Sequence, residues 1–351
     1  MSQALLTAKP QYPWKLTPKD LLTDLAGAVF ALISTLAIVG FSPLKGKLGF
    51  ALTLIVMSIL TATVISWVKR DRKAAINSST TVMVYIAASF VIIALVSVLY
   101  EIIRLGAPGF SLSIFTKDMS ATASESPLTE GGLLHAVIGT GYLVLFAALF
   151  ATPIGILTAL YIVEVKGKFA GTVRFFVQAM SGVPSIVAGL FIFSFWMIQL
   201  GNSYSGLAGC FALTVLMIPT VARTAEEVLK LIPQDLREAG LALGATQWRT
   251  VAMVVIPAAR SGLITAVILG IARVVGETAP LLLTIGGADA INLNPTSGNM
   301  SAFPYYVWKN LLIGSENAVS RAWLGVFVLM ILVLIFFALA RYFGAAKGSR
   351  K

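Results

Sequence analysis

Long apolar runs separated by short polar segments dominate the pattern of this 351-residue chain. An α-helix needs about 20 predominantly apolar residues to cross the hydrocarbon core of a bilayer. Eight runs come close to that length: 21–42, 48–68, 81–103, 133–163, 176–200, 207–222, 262–285 and 322–343. The pattern therefore predicts an all-α, polytopic membrane protein with about eight transmembrane helices.

Helix-breaking residues refine this prediction. The fourth run contains Thr152-Pro153 and Gly155, which predict a kink or a tilt, and the sixth run is expected to end near Pro219. The polar segment 69–80, KRDRKAAINSST, is the best candidate for a domain boundary. We predict a cytoplasmic tail and an extra two-helix hairpin in residues 1–75, and a second domain in residues 76–346.

The composition supports a membrane protein, with 58% apolar and only 12% charged residues, about half the charge of a soluble domain. The net charge of +11 fits Lys- and Arg-rich cytoplasmic loops, so no nucleic-acid partner is predicted. With the N-terminus inside, 19 of the 26 Lys and Arg residues lie in cytoplasmic segments and six lie outside. Both termini are therefore predicted to be cytoplasmic, and the first 20 residues are interpreted as a tail, not a signal peptide.

The scarcity of Cys and His excludes some kinds of chemistry. With Cys210 and His135 as the single residues of their types, neither an intrachain disulfide nor a Cys/His metal cluster can form. His135 is expected at the membrane interface, near the outer start of the fourth run. Glu164, Lys166 and Arg174 are expected to form a solvated elbow between two spans.

The longest predicted cytoplasmic segment, residues 223–261, interrupts the apolar pattern. A helix over 223–231 should stop before Pro233, and a second over about 234–243 should end at Gly244. The second helix carries Leu236, Ala239 and Leu243 at helical spacing. From amphipathicity alone, this helix is either a docking element for another protein or a connector that packs on its own bundle.

The spacing of this segment resembles the EAA loop of ATP-binding-cassette importer permeases. Glu238-Ala239-Gly240 is followed by three residues, Gly244, nine residues and then Val254-Val255-Ile256-Pro257. The departures from the family pattern are Gly240 for the second alanine, and Val254 and Ile256 for isoleucine and leucine. The resemblance implies that Glu238, Ala239, Gly240 and Gly244 belong to a coupling helix that sits in a cleft of a separate cytoplasmic ATPase.

The chain contains no phosphate-binding G-x-x-x-x-G-K-[ST] motif. No cofactor is therefore expected in this chain, and it is not expected to be an enzyme. ATP and magnesium would bind to the partner ATPase.

A closer resemblance covers residues 81–343. Ile271–Leu282, IARVVGETAPLL, is similar to the signature of the PstA family, the A-type permeases of phosphate-specific transport systems. Further similar stretches occur in the order typical of that family: 129–132, 152–156, 183–190 and 229–233. The resemblance implies a six-helix type I permease core in the plasma membrane of a bacterium or archaeon. It also implies four partners: a second, C-type permease, a cytoplasmic ATPase dimer, an extracytoplasmic phosphate-binding protein and phosphate itself.

The two charges within IARVVGET are the candidate substrate pathway. Arg273 lies near the middle of its run, and Glu277 follows at the i,i+4 spacing that permits an ion pair on a helix. Intramembrane ionisable residues are costly and mark pathways, and a guanidinium binds oxyanions through a planar fork. Gly276 and Ala279-Pro280 predict a weakened helix at the same place.

Other functions stay open on the sequence alone. The same architecture could carry sulfate or molybdate, and an ion-coupled secondary transporter could use Arg273 and Glu277 as its relay. An intramembrane enzyme with Glu277 or His135 as acid or base is disfavoured, because no nucleophile or metal set accompanies them. The additional hairpin, which the six-helix family core lacks, has no function assigned by any motif.

Overall fold

The computed structural model describes residues 18–43 and 46–344. Within these ranges the regular structure is helical, without a β-strand apart from one isolated bridge between Gly286 and Met300. The α-helices of these ranges are α1 (Pro18–Phe41), α2 (Lys47–Lys69), α3 (Arg72–Gly106), α4 (Leu134–Leu160), α5 (Ala170–Ser181), α6 (Ser185–Ile192), α7 (Gly206–Lys230), α8 (Gln234–Ala242), α9 (Gln247–Thr250), α10 (Ile256–Val275), α11 (Ala279–Thr284), α12 (Phe303–Ile313) and α13 (Glu316–Gly344). The predicted all-α class is confirmed, whereas nearly all of the predicted cytoplasmic tail lies outside the described residues.

The number of spans agrees with the sequence prediction. In the described part of the chain, seven helical stretches are long and apolar enough to cross a membrane, and an eighth crossing results if one bent pair of helices counts as a single span. The seven are Leu22–Phe41, Lys47–Lys69, Arg72–Gly109, Leu134–Val165, Gly206–Lys230, Gln247–Val275 and Glu316–Ala338. Along the chain, two spans precede a set of six, as the hairpin and six-helix core require.

The fifth run is the bent pair. Its two parts, Ala170–Ser181 and Ser185–Gln199, meet at an angle of 102°. Gly182, Val183 and Pro184 separate them, because proline lacks a backbone N–H and disfavours the α conformation in the residue before it. The run 176–200, predicted as one span, is therefore divided by a sharp bend near its start.

The sixth and seventh runs were also placed wrongly at their ends. Helix α7 continues through Pro219 to Lys230, because one proline removes a single helical hydrogen bond and the neighbours Met217 and Val221 are fully buried. The seventh run begins at Gln247 rather than 262, because α9, a π-helical stretch over Val251–Val255 and α10 are continuous. Pro257 lies in the first turn of α10, where it costs little.

The predicted linker 69–80 is mostly helical. Only two residues separate α2 from α3, and Asp71 accepts a hydrogen bond from the Ala74 N–H at 2.6 Å, as a helix N-cap does. The chain divides into two compact units, residues 1–99 and 100–351. That division falls within α3, as does the predicted boundary at 75/76, and the domain assignment stays a prediction.

In the first unit, α1 and α2 pack on each other as the predicted hairpin. Lys69 donates a hydrogen bond to Thr23 at 2.8 Å, and the hydroxyls of Ser66 and Ser78 lie 2.6 Å apart. These contacts join the two helices and the start of α3.

In the second unit, α7 is the central helix. It contacts α4, α5, α6, α10 and α11. Of its most apolar stretch of 18 residues, 67% is buried, the largest share among the seven spans of the described residues. The buried core around it includes Leu143, Met217, Val274 and Leu281. The remaining spans are less buried because more of their apolar surface faces outward, as expected of helices in contact with lipid or another subunit.

Candidate functional site

A helix break marks the centre of the segment that carries the two candidate charges. Helix α10 ends at Val275, and α11 begins at Ala279 with Pro280 in its first turn. The backbone of the break remains hydrogen-bonded, since the Glu277 N–H donates to Val274 and the Thr278 carbonyl accepts from Leu281. The predicted weakening of the helix at Gly276 and Ala279-Pro280 is confirmed as an interruption.

Arg273 lies exposed in the last turn of α10. Its Nη1 donates a hydrogen bond to the Thr220 hydroxyl of α7 at 2.9 Å. Sequence reasoning missed Thr220, because only the fold brings residues 53 positions apart together.

No hydrogen bond or ion pair joins Arg273 to Glu277 among the described residues. The expected i,i+4 pair is absent because the helix ends two residues after Arg273, so Glu277 leaves the helical register. The Glu277 side chain is partly exposed beside the break. Most of the five guanidinium N–H donors of Arg273 are therefore open to a ligand, and a planar fork of this kind matches two oxygens of an oxyanion.

The break between α10 and α11 packs against the bend between α5 and α6. Helices α6 and α11 are in contact, and a Cβ atom on Gly189 would lie 2.6 Å from the Pro280 Cα atom. That distance is too short for any side chain, so the close approach requires glycine. Two interrupted spans thus contact each other at Pro280, which follows Arg273 and Glu277 closely in the sequence.

The predicted coupling helix is α8, and it runs one residue short of the predicted end. Glu238 and Ala239 are exposed. The apolar side chains of Leu231, Leu243 and Trp248 around this helix are also exposed, at 81%, 89% and 66%. This end of the bundle presents a charged and apolar surface of the kind that protein interfaces use.

The two glycines of the loop have different physical roles. A Cβ atom on Gly240 would lie 2.8 Å from the Thr250 side chain, so its small size allows α8 to approach the start of the next span. Gly244 has φ of +80°, and its N–H donates to the Leu241 carbonyl at 2.9 Å. The predicted turn at Gly244 is confirmed, because glycine adopts this left-handed conformation without strain.

Arg237 and Glu164 form an ion pair that the sequence did not reveal. Arg237 Nη2 lies 2.7 Å from Glu164 Oε1, and its Nε lies 3.1 Å from Oε2. Arg237 also donates to the carbonyls of Ile232 and Leu229, at 2.6 and 2.9 Å. The expected solvated elbow of Glu164, Lys166 and Arg174 is wrong for Glu164, which is buried and pairs with Arg237, whereas Lys166 is exposed.

A second buried carboxylate lies near the first. Glu226 of α7 accepts a hydrogen bond from Arg174 of α5 at 2.9 Å and pairs with Lys230 at 2.9 Å. Its side chain is only 6% exposed. Both buried carboxylates therefore have cationic partners, as the cost of burying a charge requires.

The opposite end of the second unit, predicted to be extracytoplasmic, has ordered loops. Arg321 is buried and donates to the carbonyls of Ser126, Pro127 and Glu130 at 3.1, 2.7 and 2.9 Å. Asp118 accepts from the Ile291 N–H at 3.3 Å, which joins two predicted outer loops.

The pKa of Asp118 is lowered, chiefly by a side-chain hydrogen bond from Ser120 that favours the carboxylate. The carboxylate that accepts the Ile291 N–H therefore stays ionised to a lower pH than an ordinary aspartate. His135, which was expected near the start of the fourth span, lies in the first turn of α4 and is buried with its ring 5.6 Å from that of Tyr306.

Known proteins are similar in sequence to most of this chain. The model of the family described as binding-protein-dependent transport system inner membrane component matches residues 151–347. A phosphate transport system permease protein PstA 1 of Mycobacterium tuberculosis (strain CDC 1551 / Oshkosh) is 42% identical over 204 residues, which are 58% of this chain and 67% of that protein. A PstA protein of Pasteurella multocida (strain Pm70) is 35% identical over 268 residues, which are 76% of this chain and 93% of that protein.

A solved structure of the MetNI methionine ABC transporter in inward-facing conformations overlaps 61% of this chain and 93% of its own, with a TM-score of 0.49 and 23% identity. The sequence matches define the class: the chain belongs to the inner membrane components of binding-protein-dependent transport systems. Within that class it belongs to the PstA family of phosphate transport system permease proteins. The resemblance inferred from residues 81–343 is thereby confirmed.

Proposed function

We propose that this chain is a permease subunit of an ATP-driven phosphate importer. It would form half of the translocation pathway, with a second, C-type permease forming the other half. A cytoplasmic ATPase dimer, which holds the ATP and magnesium, would dock on α8, and an extracytoplasmic phosphate-binding protein would deliver the substrate. The chain would lie in a bacterial or archaeal plasma membrane with both termini cytoplasmic.

The observation that carries the substrate class is the exposed guanidinium of Arg273 next to a helix break. One of its nitrogens is held by Thr220 at 2.9 Å, and the others are open. A charge within a membrane span costs about 2.5–3.5 kcal/mol or more, so an unpaired one requires a purpose other than stability. A fixed arginine that faces a pathway can bind a passing oxyanion bidentately.

Glu277 is proposed to limit how tightly that arginine holds its ligand. The carboxylate lies four residues from Arg273 and accepts no hydrogen bond from another described side chain. A negative charge near the site repels the bound anion, and transport requires release as well as binding. A Glu277→Gln variant with an unchanged rate of phosphate release would contradict this role.

The connection to the ATPase is proposed to run through α8 and the seventh span. Gln247–Val275 forms a single helical span of 29 residues, which is roughly 40 Å at a rise of 1.5 Å per residue. It begins five residues after α8 and ends two residues after Arg273. Movement of α8 on closure of the ATPase dimer can therefore reach the site through one rigid element.

The test is substrate-dependent stimulation in proteoliposomes. The assembled complex is mixed with binding protein loaded with phosphate, sulfate or molybdate, and ATP hydrolysis and uptake are measured together. We expect phosphate alone to stimulate both. Stimulation by sulfate or molybdate alone would replace the substrate, and uptake that persists after ATP depletion would replace the mechanism with an ion-coupled one.

A further inference from the structure

The proposed coupling helix is covalently attached to two spans only. Helix α8 follows α7 after three residues and precedes α9 after four. The fourth span, which packs on the central helix α7, is distant in sequence. Its movement with α8 therefore requires a non-covalent contact.

Such a contact exists at the end of the fourth span. Helix α4 continues as a π-helical turn, Tyr161–Val165, and Lys166 then reverses the chain at φ of 51°. π-Helical turns are rare and are frequently found at functional sites. Glu164 lies on this turn, 73 residues before Arg237.

The contact between Arg237 and Glu164 is bidentate and shielded from solvent. Arg237 binds both carboxylate oxygens of Glu164, and its side chain is 15% exposed against 6% for Glu164. On the other side of the guanidinium, the carbonyls of Leu229 and Ile232 accept two more hydrogen bonds. The side chain of Gln247 donates to the Glu164 carbonyl at 2.7 Å. One arginine thus joins α8, the end of α7 and the end of the fourth span.

We propose that Arg237 and Glu164 are positioning residues that transmit the movement of α8 to the fourth span. This inference rests on the proposed function. A buried ion pair is poorly explained by stability, because apolar residues of similar volume are often as stabilising. A bidentate fork instead fixes the relative orientation of the two elements, as rigid-body transmission requires.

The test compares ATP consumption with transport in the complete complex in proteoliposomes. In Arg237→Gln and Glu164→Gln, we expect assembly and binding-protein-stimulated ATP hydrolysis to persist while phosphate uptake falls. The number of ATP molecules hydrolysed per phosphate should rise about tenfold, the equivalent of about 1.4 kcal/mol of lost coupling. Arg237→Lys keeps the charge but loses the fork, so its ratio should lie between those of the wild type and Arg237→Gln.

The matched control is Glu227→Gln. This variant removes the exposed carboxylate whose Oε1 lies 2.8 Å from Lys230 Nζ, at the same end of the molecule. Its number of ATP molecules hydrolysed per phosphate should equal that of the wild type. A wild-type ratio in both glutamine variants would overturn the inference, as would loss of assembly in all three variants of the pair, which would make it purely structural. Failure of the wild-type complex to take up phosphate would refute the proposed function itself.

Discussion

Two arginines of the second unit, Arg237 and Arg273, have opposite surroundings. Arg237 is nearly buried and uses its guanidinium fully, on one carboxylate and three backbone carbonyls. Arg273 is exposed and has one hydrogen bond, to a neutral hydroxyl. The fully used donor set fits a fixed joint, whereas the open donor set fits a site that accepts and releases a ligand.

The difference arises from the backbone that carries each side chain. Arg237 lies within α8, where the ends of the fourth span and of α7 supply its partners on two sides. Arg273 lies two residues before a helix end, where the residue that would pair with it on a continuous helix has left the register. Interruption of a helix thus leaves a charge open that an intact helix would have neutralised.

The largest expected effect is on Arg273. Arg273→Gln should lower phosphate uptake by at least about 100-fold, because two charge-assisted hydrogen bonds are worth roughly 3 kcal/mol or more and about 1.4 kcal/mol is a factor of ten. Assembly with the ATPase should remain. Radiolabelled phosphate uptake and co-purification measure the two quantities.

The control for this variant is Arg260→Gln, which removes an exposed arginine from the same helix α10. Its uptake should equal that of the wild type. Normal uptake by Arg273→Gln would show that Arg273 is not in the pathway, and the contrast with Arg237 would lose its meaning.

A smaller effect is expected on the exposed side of α8. Glu238→Lys should weaken recruitment of the ATPase or its coupling about tenfold, since reversal of a charge at an interface creates a repulsive contact. Glu238 is exposed although its neighbour Arg237 is not, so this variant leaves the inner contacts of the helix intact. Binding of the purified ATPase to membranes that contain the variant provides the measurement.

Glu227→Lys makes the same charge change outside α8 and should bind the ATPase normally. Unchanged recruitment and uptake in Glu238→Lys would contradict the assignment of α8 as the coupling helix. That result would favour the alternative interpretation of α8, a connector that packs on its own bundle.

The sequence predicted the elements that depend on local chemistry. Runs of apolar residues placed the spans, Gly244 placed the end of α8, and Gly276 with Pro280 placed the helix break. A short repertoire of backbone conformations and the length of the bilayer determine each of these features. Arg273 was found as a charge within an apolar run, whereas Glu238 was found through the spacing that resembles the EAA loop.

Features that depend on tertiary packing were missed or misplaced. Pro219 was expected to end a helix, but burial on several sides supports α7 beyond it. Glu164 was expected in solvent, because no pattern in a single chain pairs it with Arg237, 73 residues away. The i,i+4 rule paired Arg273 with Glu277 on the assumption of a continuous helix, and the true partner Thr220 belongs to another span.

The smallest expected effect tests how Arg273 is held. Thr220→Val removes the hydroxyl that accepts the Arg273 hydrogen bond but keeps the size and branching of the side chain. The guanidinium then loses its fixed position, and the KM for phosphate uptake should rise about tenfold, since a hydrogen bond to a charged group contributes roughly 1.5 kcal/mol or more. The rate at saturating substrate should change less, because Arg273 itself remains.

Thr220→Ser retains the hydroxyl and should restore the wild-type KM, which separates the hydrogen bond from packing. Uptake is measured as a function of the concentration of phosphate-loaded binding protein. The amount of phosphate trapped at the site is measured in the same variants. If Thr220→Val and Thr220→Ser both match the wild type, the hydroxyl does not position Arg273. The open guanidinium would then owe its orientation to the helix end alone, and the break at Gly276 would be the feature that separates Arg273 from Arg237.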